Sequence, residues 1–309
     1  MRFRNLDGTT PDKSPLDILK WQVADRVTGK RVRPNDADFV TPSRPNDGAA
    51  LSAVSPHATW IGHATWVLRL GGKLIATDPI WSERIQTVIK RRVAPGVALA
   101  NVPKLDIVTV SHDHFDHLDM PTLRRIGPET TFVVPTNVGP LLRAQGLRNV
   151  IELGWFESTV QGDLRITLVP AQHWGMRSPL DKNTRLWGGF VYEGPEGVAY
   201  HAGDTALSEL TFQTIRERAP RIDWAMLPIG AYEPQWFMQA QHMGPEEAVR
   251  AFDLLGAKHL LAMHWGTFKL TDEHCKEPPE RLRAAWHNQS RDPSRLWILD
   301  VGETRSLSR

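Results

Sequence analysis

The sequence predicts an α/β protein with two sheets and helices packed outside them. Strand signals alone fill residues 59–77, whereas strands and helices alternate from residue 105 onward. A purely alternating chain would give one doubly wound sheet, but a strand-only start followed by alternation gives two. A chain of 309 residues, 41% hydrophobic and 23% charged, can bury the core that such a fold needs.

The first 55 residues stand apart, with prolines at 11, 15, 34, 42 and 45, many charges and few apolar clusters. They are expected to form an N-terminal extension, 1–55, ahead of a catalytic domain, 56–309. One short helix is expected there. Ser14 can cap it, Pro15 suits its first turn, and Leu16, Leu19, Val23 and Val27 share one face. That face suits a membrane or a partner, and docking on the protein's own domain is the plainer expectation.

Residues 59–61, 65–70 and 73–77 read as neighbouring strands, the last two joined at Gly71-Gly72. Buried strands follow at 105–110 and 131–134, with a helix near 120–126 between them. Strands at 164–169, 186–192 and 198–201 come next, the last pair turning through 193–197. Helices at 210–219, 245–255 and 278–288 then alternate with strands at 224–229, 259–263 and 297–301. The 245–255 helix is the best marked: Pro245 stands first, Glu246 and Glu247 lie on the positive dipole end, and Gly256 marks the stop.

Bulk properties exclude several classes. A formal net charge of +2 gives no basis for a nucleic-acid partner. One cysteine, Cys275, excludes an internal disulfide and fits a reducing compartment. No apolar stretch behind Met1-Arg2-Phe3-Arg4 resembles a signal peptide, and no window is apolar enough to span a bilayer. The expected location is the cytoplasm, with peripheral contact at the inner membrane face and a homodimer as further expectations.

The most informative segment is Ser111-His112-Asp113-His114-Phe115-Asp116-His117, directly after the 105–110 strand. Three imidazoles and an inner carboxylate at a strand end deliver several donors to one point, a set that zinc favours. One loop cannot close a metal site alone. His173, Asp204 and His264 each follow a strand, where a rigid scaffold presents functional side chains, and together they supply the missing donors.

The order H-x-H-x-D-H, His, Asp, His resembles the metallo-β-lactamase fold superfamily over roughly residues 55–305. The resemblance implies an αββα sandwich with a dinuclear site at one edge of the sheets. It implies that His112, His114 and His173 hold one metal and that Asp116, His117 and His264 hold the other, with Asp204 bridging. Two zinc ions are the expected cofactors, and the same donors would accept iron or manganese. A narrower resemblance rests on Thr59-Trp60-Ile61-Gly62-His63-Ala64-Thr65, Thr77-Asp78-Pro79-Ile80-Trp81, Gln172-His173-Trp174, Gln241-His242-Met243-Gly244-Pro245 and His264-Trp265-Gly266-Thr267-Phe268. These segments are similar to the N-acylphosphatidylethanolamine-hydrolysing phospholipase D group and its bacterial relatives.

A phosphodiester is therefore the expected substrate, cleaved as a phospholipase D cleaves an N-acyl phospholipid. Asp116 and Asp204 are expected to act in catalysis through the metals. His242, before a helix N-terminus, could protonate the leaving alkoxide, grip phosphate, or be an ordinary capping imidazole. Phe115 as a stacking face and Arg177 as a phosphate fork are expected substrate contacts, with structural roles as their alternatives. His63 and Asp78 look like supports that orient the ligands. Arg84, Lys90, Arg91 and Arg92 could attract an anionic head group or form a solvated loop. Other chemistries stay open on the same scaffold: hydrolysis of a small anionic ester, lactone or cyclic phosphate, iron-dependent redox, or metal binding without catalysis.

Overall fold

The computed structural model describes residues 2–11, 15–31, 33–219 and 221–307. Two seven-stranded sheets face each other. The first runs in the order Thr304–Ser306, His57–Gly62, Thr65–Leu70, Lys73–Thr77, Ile107–Thr109, Thr131–Pro135 and Val150–Leu153. The second runs Leu296–Trp297, His259–Met263, Trp224–Pro228, Gly197–His201, Gly189–Gly194, Leu164–Val169 and Ser158–Gln161.

Period-two alternation along the strands sets the layers. Trp66, Leu68 and Leu70 join Ile166, Leu168, Phe190 and Tyr192 in the core between the sheets. Their neighbours Val67, Leu74, Ala76, Val108, Phe132 and Val134 back instead onto Leu123 and Leu142 of the helices Met120–Ile126 and Gly139–Arg143. Beyond the second sheet, Phe212, Val249, Phe252, Leu282 and Trp286 bring in Glu209–Arg218, Pro245–Leu255 and Glu277–Asn288. The result is a four-layer helix–sheet–sheet–helix sandwich.

The Pro245–Leu255 helix has the expected punctuation. Glu247 Oε2 accepts from the Gly244 amide at 2.9 Å, and Gly256 closes the last turn at φ +65°. Elsewhere the strand boundaries move. The strand expected at 186–192 becomes Gly189–Gly194, because the Leu186 and Gly188 amides donate instead to the Thr136 and Ser111 carbonyls, both at 3.0 Å. The strand expected at 297–301 shortens to Leu296–Trp297, and Val301 instead bridges to Ser43. Val150–Leu153, Ser158–Gln161 and Thr304–Ser306 were unexpected. They are short, half-exposed edge strands, and little apolar alternation announces them.

The N-terminal residues pack closely on the rest of the chain. Asn5 is buried, Gln172 Nε2 donates to Asp7 Oδ2 at 3.0 Å, and Lys182 Nζ donates to the Pro11 carbonyl at 3.0 Å. Asp36 is buried against Lys269 Nζ at 2.6 Å and the Cys275 amide at 2.8 Å. Between these contacts lies a helical run of Pro15–Leu19, a π turn at Lys20–Ala24 and Asp25–Val27. The cap expected at Ser14 lies outside the described residues. The expected docking face is corrected: Leu16, Leu19, Val23 and Val27 are exposed, and Trp21 docks instead.

Candidate metal centre

Strand direction gathers the candidate ligands at one edge. Gly197–His201, Trp224–Pro228 and His259–Met263 are parallel. Leu164–Val169 runs the same way, being antiparallel to the strand that is itself antiparallel to Gly197–His201. His173, Asp204 and His264 therefore leave the second sheet at the same end, opposite the loop that follows Ile107–Thr109 in the first. Gly203 lets the chain turn into Asp204 at φ +61°, where a Cβ would lie 2.5 Å from that of Ser111.

Two clusters result, each with donor atoms within 4.8 Å of one another. In one, His114 Nδ1 lies 2.9 Å from His112 Nε2 and 3.2 Å from His173 Nε2. In the other, Asp116 Oδ2 lies 3.4 Å from His117 Nε2 and 3.5 Å from His264 Nε2. Asp204 stands between them. Its Oδ1 is 3.2 Å from His264 Nε2, and its Oδ2 is 3.2 Å from His117 Nε2 and 4.0 Å from His112 Nε2.

Outer partners fix which nitrogens keep lone pairs. The His173 Nδ1–H donates to the Gln241 carbonyl at 2.9 Å, which leaves Nε2 free to coordinate. The His117 Nδ1–H donates to Asp78 Oδ2 at 2.7 Å. Ser111 Oγ gives its proton to the same carboxylate at 2.6 Å, so it accepts from His112 Nδ1–H at 2.9 Å. His112, His117 and His173 thus all aim Nε2 lone pairs inward. His63 Nε2 sits 2.9 Å from Asp116 Oδ2 and orients that carboxylate. His63, Asp78 and His264 hold φ values of +55°, +38° and +62°, left-handed backbone that costs on the order of 1 kcal/mol each and gathers at functional sites.

The donor set fits a cation pair. His117 Nε2, His264 Nε2 and Asp204 Oδ1 are buried without a hydrogen-bond partner, a state that costs about 1–3 kcal/mol per atom unless something binds there. Burial and then like neighbours hold His112 well below the ordinary imidazole pKa, and burial lowers His114 to about 4 and His173 to about 3. These imidazoles are neutral, as ligands must be. Burial opposes charge on His117 and His264 too. There the carboxylates outweigh it, Asp204 foremost, raising His117 well above its usual range and His264 to about 9. Carboxylates that raise proton affinity at a point would raise cation affinity there as well.

The other expected site residues divide. His242 Nδ1 lies 3.9 Å from Asp204 Oδ2 and is buried without a partner. His242 also lines a cleft of about 180 Å³ with Tyr232, Gln235, Gln239 and Arg281. Burial lowers its pKa to about 3, so it is a neutral N–H donor rather than an imidazolium. Phe115 is half-buried beside Ile80, Ile85 and Phe268. Arg177 corrects the expectation of a phosphate fork. Its Nη1 donates to the Asp113 carbonyl at 2.9 Å and the Leu118 carbonyl at 3.0 Å, and its guanidinium lies 4.0 Å from the Phe115 ring centre. It braces the metal loop, together with Arg185, which pairs with Asp113 and Asp181.

Arg91 and Arg92 form neither a head-group patch nor a solvated loop. Arg91 is buried on the Ile80 carbonyl at 2.6 Å, and Arg92 donates to the Asp36 and Phe39 carbonyls at 2.9 Å. Arg84, Lys90 and Arg92 are exposed, and of these Arg92 has its guanidinium tied to backbone carbonyls. Asn5 was missed. Its Oδ1 accepts from the His173 amide at 3.0 Å, so the N-terminal segment helps to hold a candidate ligand. A lone asparagine in a charged, proline-bearing stretch gives no signal of this.

The family model for the beta-lactamase superfamily domain matches residues 73–265. The chain belongs to the beta-lactamase superfamily. It is a metal-dependent hydrolase: relatives of up to 39% identity are named as metal-dependent hydrolases or hydrolyzing phospholipases. It is 39% identical over 243 residues to the N-acyl-phosphatidylethanolamine-hydrolyzing phospholipase D 1 of Caenorhabditis elegans, covering 73% of this chain and 68% of that one. The mitochondrial N-acyl-phosphatidylethanolamine-hydrolyzing phospholipase D of Saccharomyces cerevisiae is 35% identical over 261 residues, covering 80% of this chain and 55% of the yeast protein. Among solved structures, a metallo hydrolase of Ignicoccus hospitalis superposes with a TM-score of 0.60 at 23% identity, covering 81% of this chain and 97% of that one, a likeness of fold.

Proposed function

We propose that this superfamily member is a dinuclear zinc phosphodiesterase that cleaves N-acyl phosphatidylethanolamine-type lipids as a phospholipase D does. The observation that carries the dinuclear part is the Asp204 carboxylate, whose Oδ2 lies 3.2 Å from His117 Nε2 of one cluster and 4.0 Å from His112 Nε2 of the other. His112, His114 and His173 would hold one zinc, Asp116, His117 and His264 the second, and Asp204 both. Seven nitrogen and oxygen donors without a thiolate suit zinc and would accept iron or manganese. The likeness to two phospholipases of that name supports the substrate class.

When bound, the metals would lower the pKa of a water to about 7 and neutralise charge growing on phosphoryl oxygens. The chain's own residues do the rest. Asp78 and His63 keep His117 and Asp116 aimed inward, and Asn5 and the Gln241 carbonyl do the same for His173. His242, neutral in its buried setting, donates an N–H to a phosphate oxygen, and half-buried Phe115 offers an apolar contact from the metal loop. The catalytic unit is residues 56–309, steadied by the N-terminal contacts.

A second reading is supported by the cleft beside His242. Its polar lining of Gln235, Gln239 and Arg281 and its volume of about 180 Å³ suit a small polar alcohol better than an acyl chain. A small anionic ester or cyclic phosphate would then be the substrate. Purified zinc-loaded protein, assayed in parallel on N-acylphosphatidylethanolamine, glycerophosphoethanolamine and a cyclic nucleotide, separates the two. Release of phosphatidic acid from the lipid at the highest kcat/KM supports the first. Turnover of the water-soluble substrates alone supports the second, and inactivity on all three refutes both.

A further inference from the structure

The N-terminal helical run presents its apolar face to solvent. Trp21 anchors it from the opposite side, with its ring 4.8 Å from that of Phe237 and its indole N–H donating to Asp272 Oδ2 at 2.7 Å. Arg31 closes on the same carboxylate at 2.8 Å. Leu16, Leu19, Val23 and Val27 are left 74%, 54%, 49% and 81% exposed. Elsewhere among the described residues, exposed large apolar side chains are scattered along the sequence, as on any soluble surface, whereas these four form one stripe.

Cations border the stripe. Lys20 stands four residues after Leu16 and three before Val23, and Arg26 stands three after Val23, so both flank it at helical spacing. Lys20 and Asp25 also line the cavity beside the run, with Trp236. Lys20 Nζ lies 4.2 Å from the ring centre of Trp236, which is 37% exposed and stands on the short helix Gln235–Met238. Gln235 and Gln239 line the cleft beside His242. One short segment therefore borders both the stripe and the cleft.

We propose that this helix face docks on the surface of a phospholipid bilayer that carries anionic head groups. Leu16, Leu19, Val23 and Val27 would enter the boundary between head groups and acyl chains, with Lys20 and Arg26 at the phosphates and Trp236 at the interface. The charge pattern disfavours a second copy of the chain. A two-fold antiparallel contact centred on Val23 would set Lys20 of each copy against Arg26 of the other. Docking rests on the exposed face and is read without turnover, so it holds or fails separately from the phosphodiesterase reading.

The test is co-sedimentation of the full-length, metal-loaded protein with vesicles of phosphatidylcholine, alone or with a minority of phosphatidylglycerol. The protein is expected to pellet with the mixed vesicles. The double variant Leu19→Glu, Val23→Glu is expected to lose at least about tenfold in partitioning, with its melting temperature and metal content unchanged. The double variant Lys20→Gln, Arg26→Gln is expected to keep only the weaker binding shown to phosphatidylcholine alone. Wild-type protein that stays in the supernatant overturns docking, as does equal pelleting of the glutamate variant. A wild-type dimer in light scattering that the glutamate variant converts to monomer overturns it in favour of a contact between copies.

Discussion

Asp78 controls the metal centre from behind, and Asp78→Asn isolates that control. The buried carboxylate accepts three hydrogen bonds, from the Ser111 amide at 2.6 Å, Ser111 Oγ at 2.6 Å and His117 Nδ1 at 2.7 Å. Asparagine keeps one oxygen for the Ser111 amide and turns an NH2 toward Ser111 Oγ and His117. His117 must then accept at Nδ1 and carry its proton on Nε2, the atom that faces Asp116 and Asp204. Returning the proton to Nδ1 to restore the lone pair would set N–H against N–H in a buried site. Loss of such an outer partner lowers metal affinity by about 10- to 100-fold, or roughly 1.4–2.8 kcal/mol. Asp78→Ala is the harsher change. Three buried donors left unpaired cost about 1–3 kcal/mol each, a large share of a domain's stability of about 5–15 kcal/mol. The assay is a competition titration against a chromophoric chelator, with metal content measured by mass spectrometry. Asp78→Asn is expected to fold, to keep the metal of the His112, His114 and His173 cluster and to hold the other weakly. Wild-type affinity for two metals in Asp78→Asn would refute the tautomer argument.

Three other outcomes follow from contacts around the centre. Asn5→Leu leaves the His173 amide without its acceptor, while the Trp187 indole keeps the Ala171 carbonyl, so its melting temperature is expected to fall with a loss of about 1–3 kcal/mol, and metal should leave the His173 cluster first, as read by chelator competition. Arg177→Lys removes the planar donor that spans the Asp113 and Leu118 carbonyls, so kcat is expected to drop with KM little changed. A KM that rises alone would restore the phosphate fork. Burial, reinforced by Asp36, pushes the Cys275 thiol up to about 11. Because its pKa is raised, the thiolate is scarce below that pH, so iodoacetamide is expected to leave the native protein unlabelled at pH 8 and to label it after denaturation.

How much of this was legible in the sequence depends on the range of the signal. His112, His114, Asp116 and His117 share one loop, and His173, Asp204 and His264 each follow an apolar strand, so local pattern singled them out as candidates that the fold then gathers. The Pro245–Leu255 helix carries its start and stop within its own residues. Arg177 and Asn5 were misread or missed because their partners lie 59 or more residues away, at Asp113, Leu118 and His173. The helix face was read correctly as apolar, but which side of a helix docks is decided by its neighbours. Here Asp272 and Phe237 recruit Trp21, 251 and 216 residues distant in sequence.

The central claim is a cation pair shared by Asp204. Anomalous diffraction from crystals of the purified protein, collected on either side of the zinc absorption edge, tests it most directly. Two peaks are expected, one among His112, His114 and His173 and one among Asp116, His117 and His264, both within bonding distance of Asp204. In Asp204→Asn both should weaken while the fold persists. No peak among these residues in metal-loaded protein, or two undiminished peaks in Asp204→Asn, would contradict it.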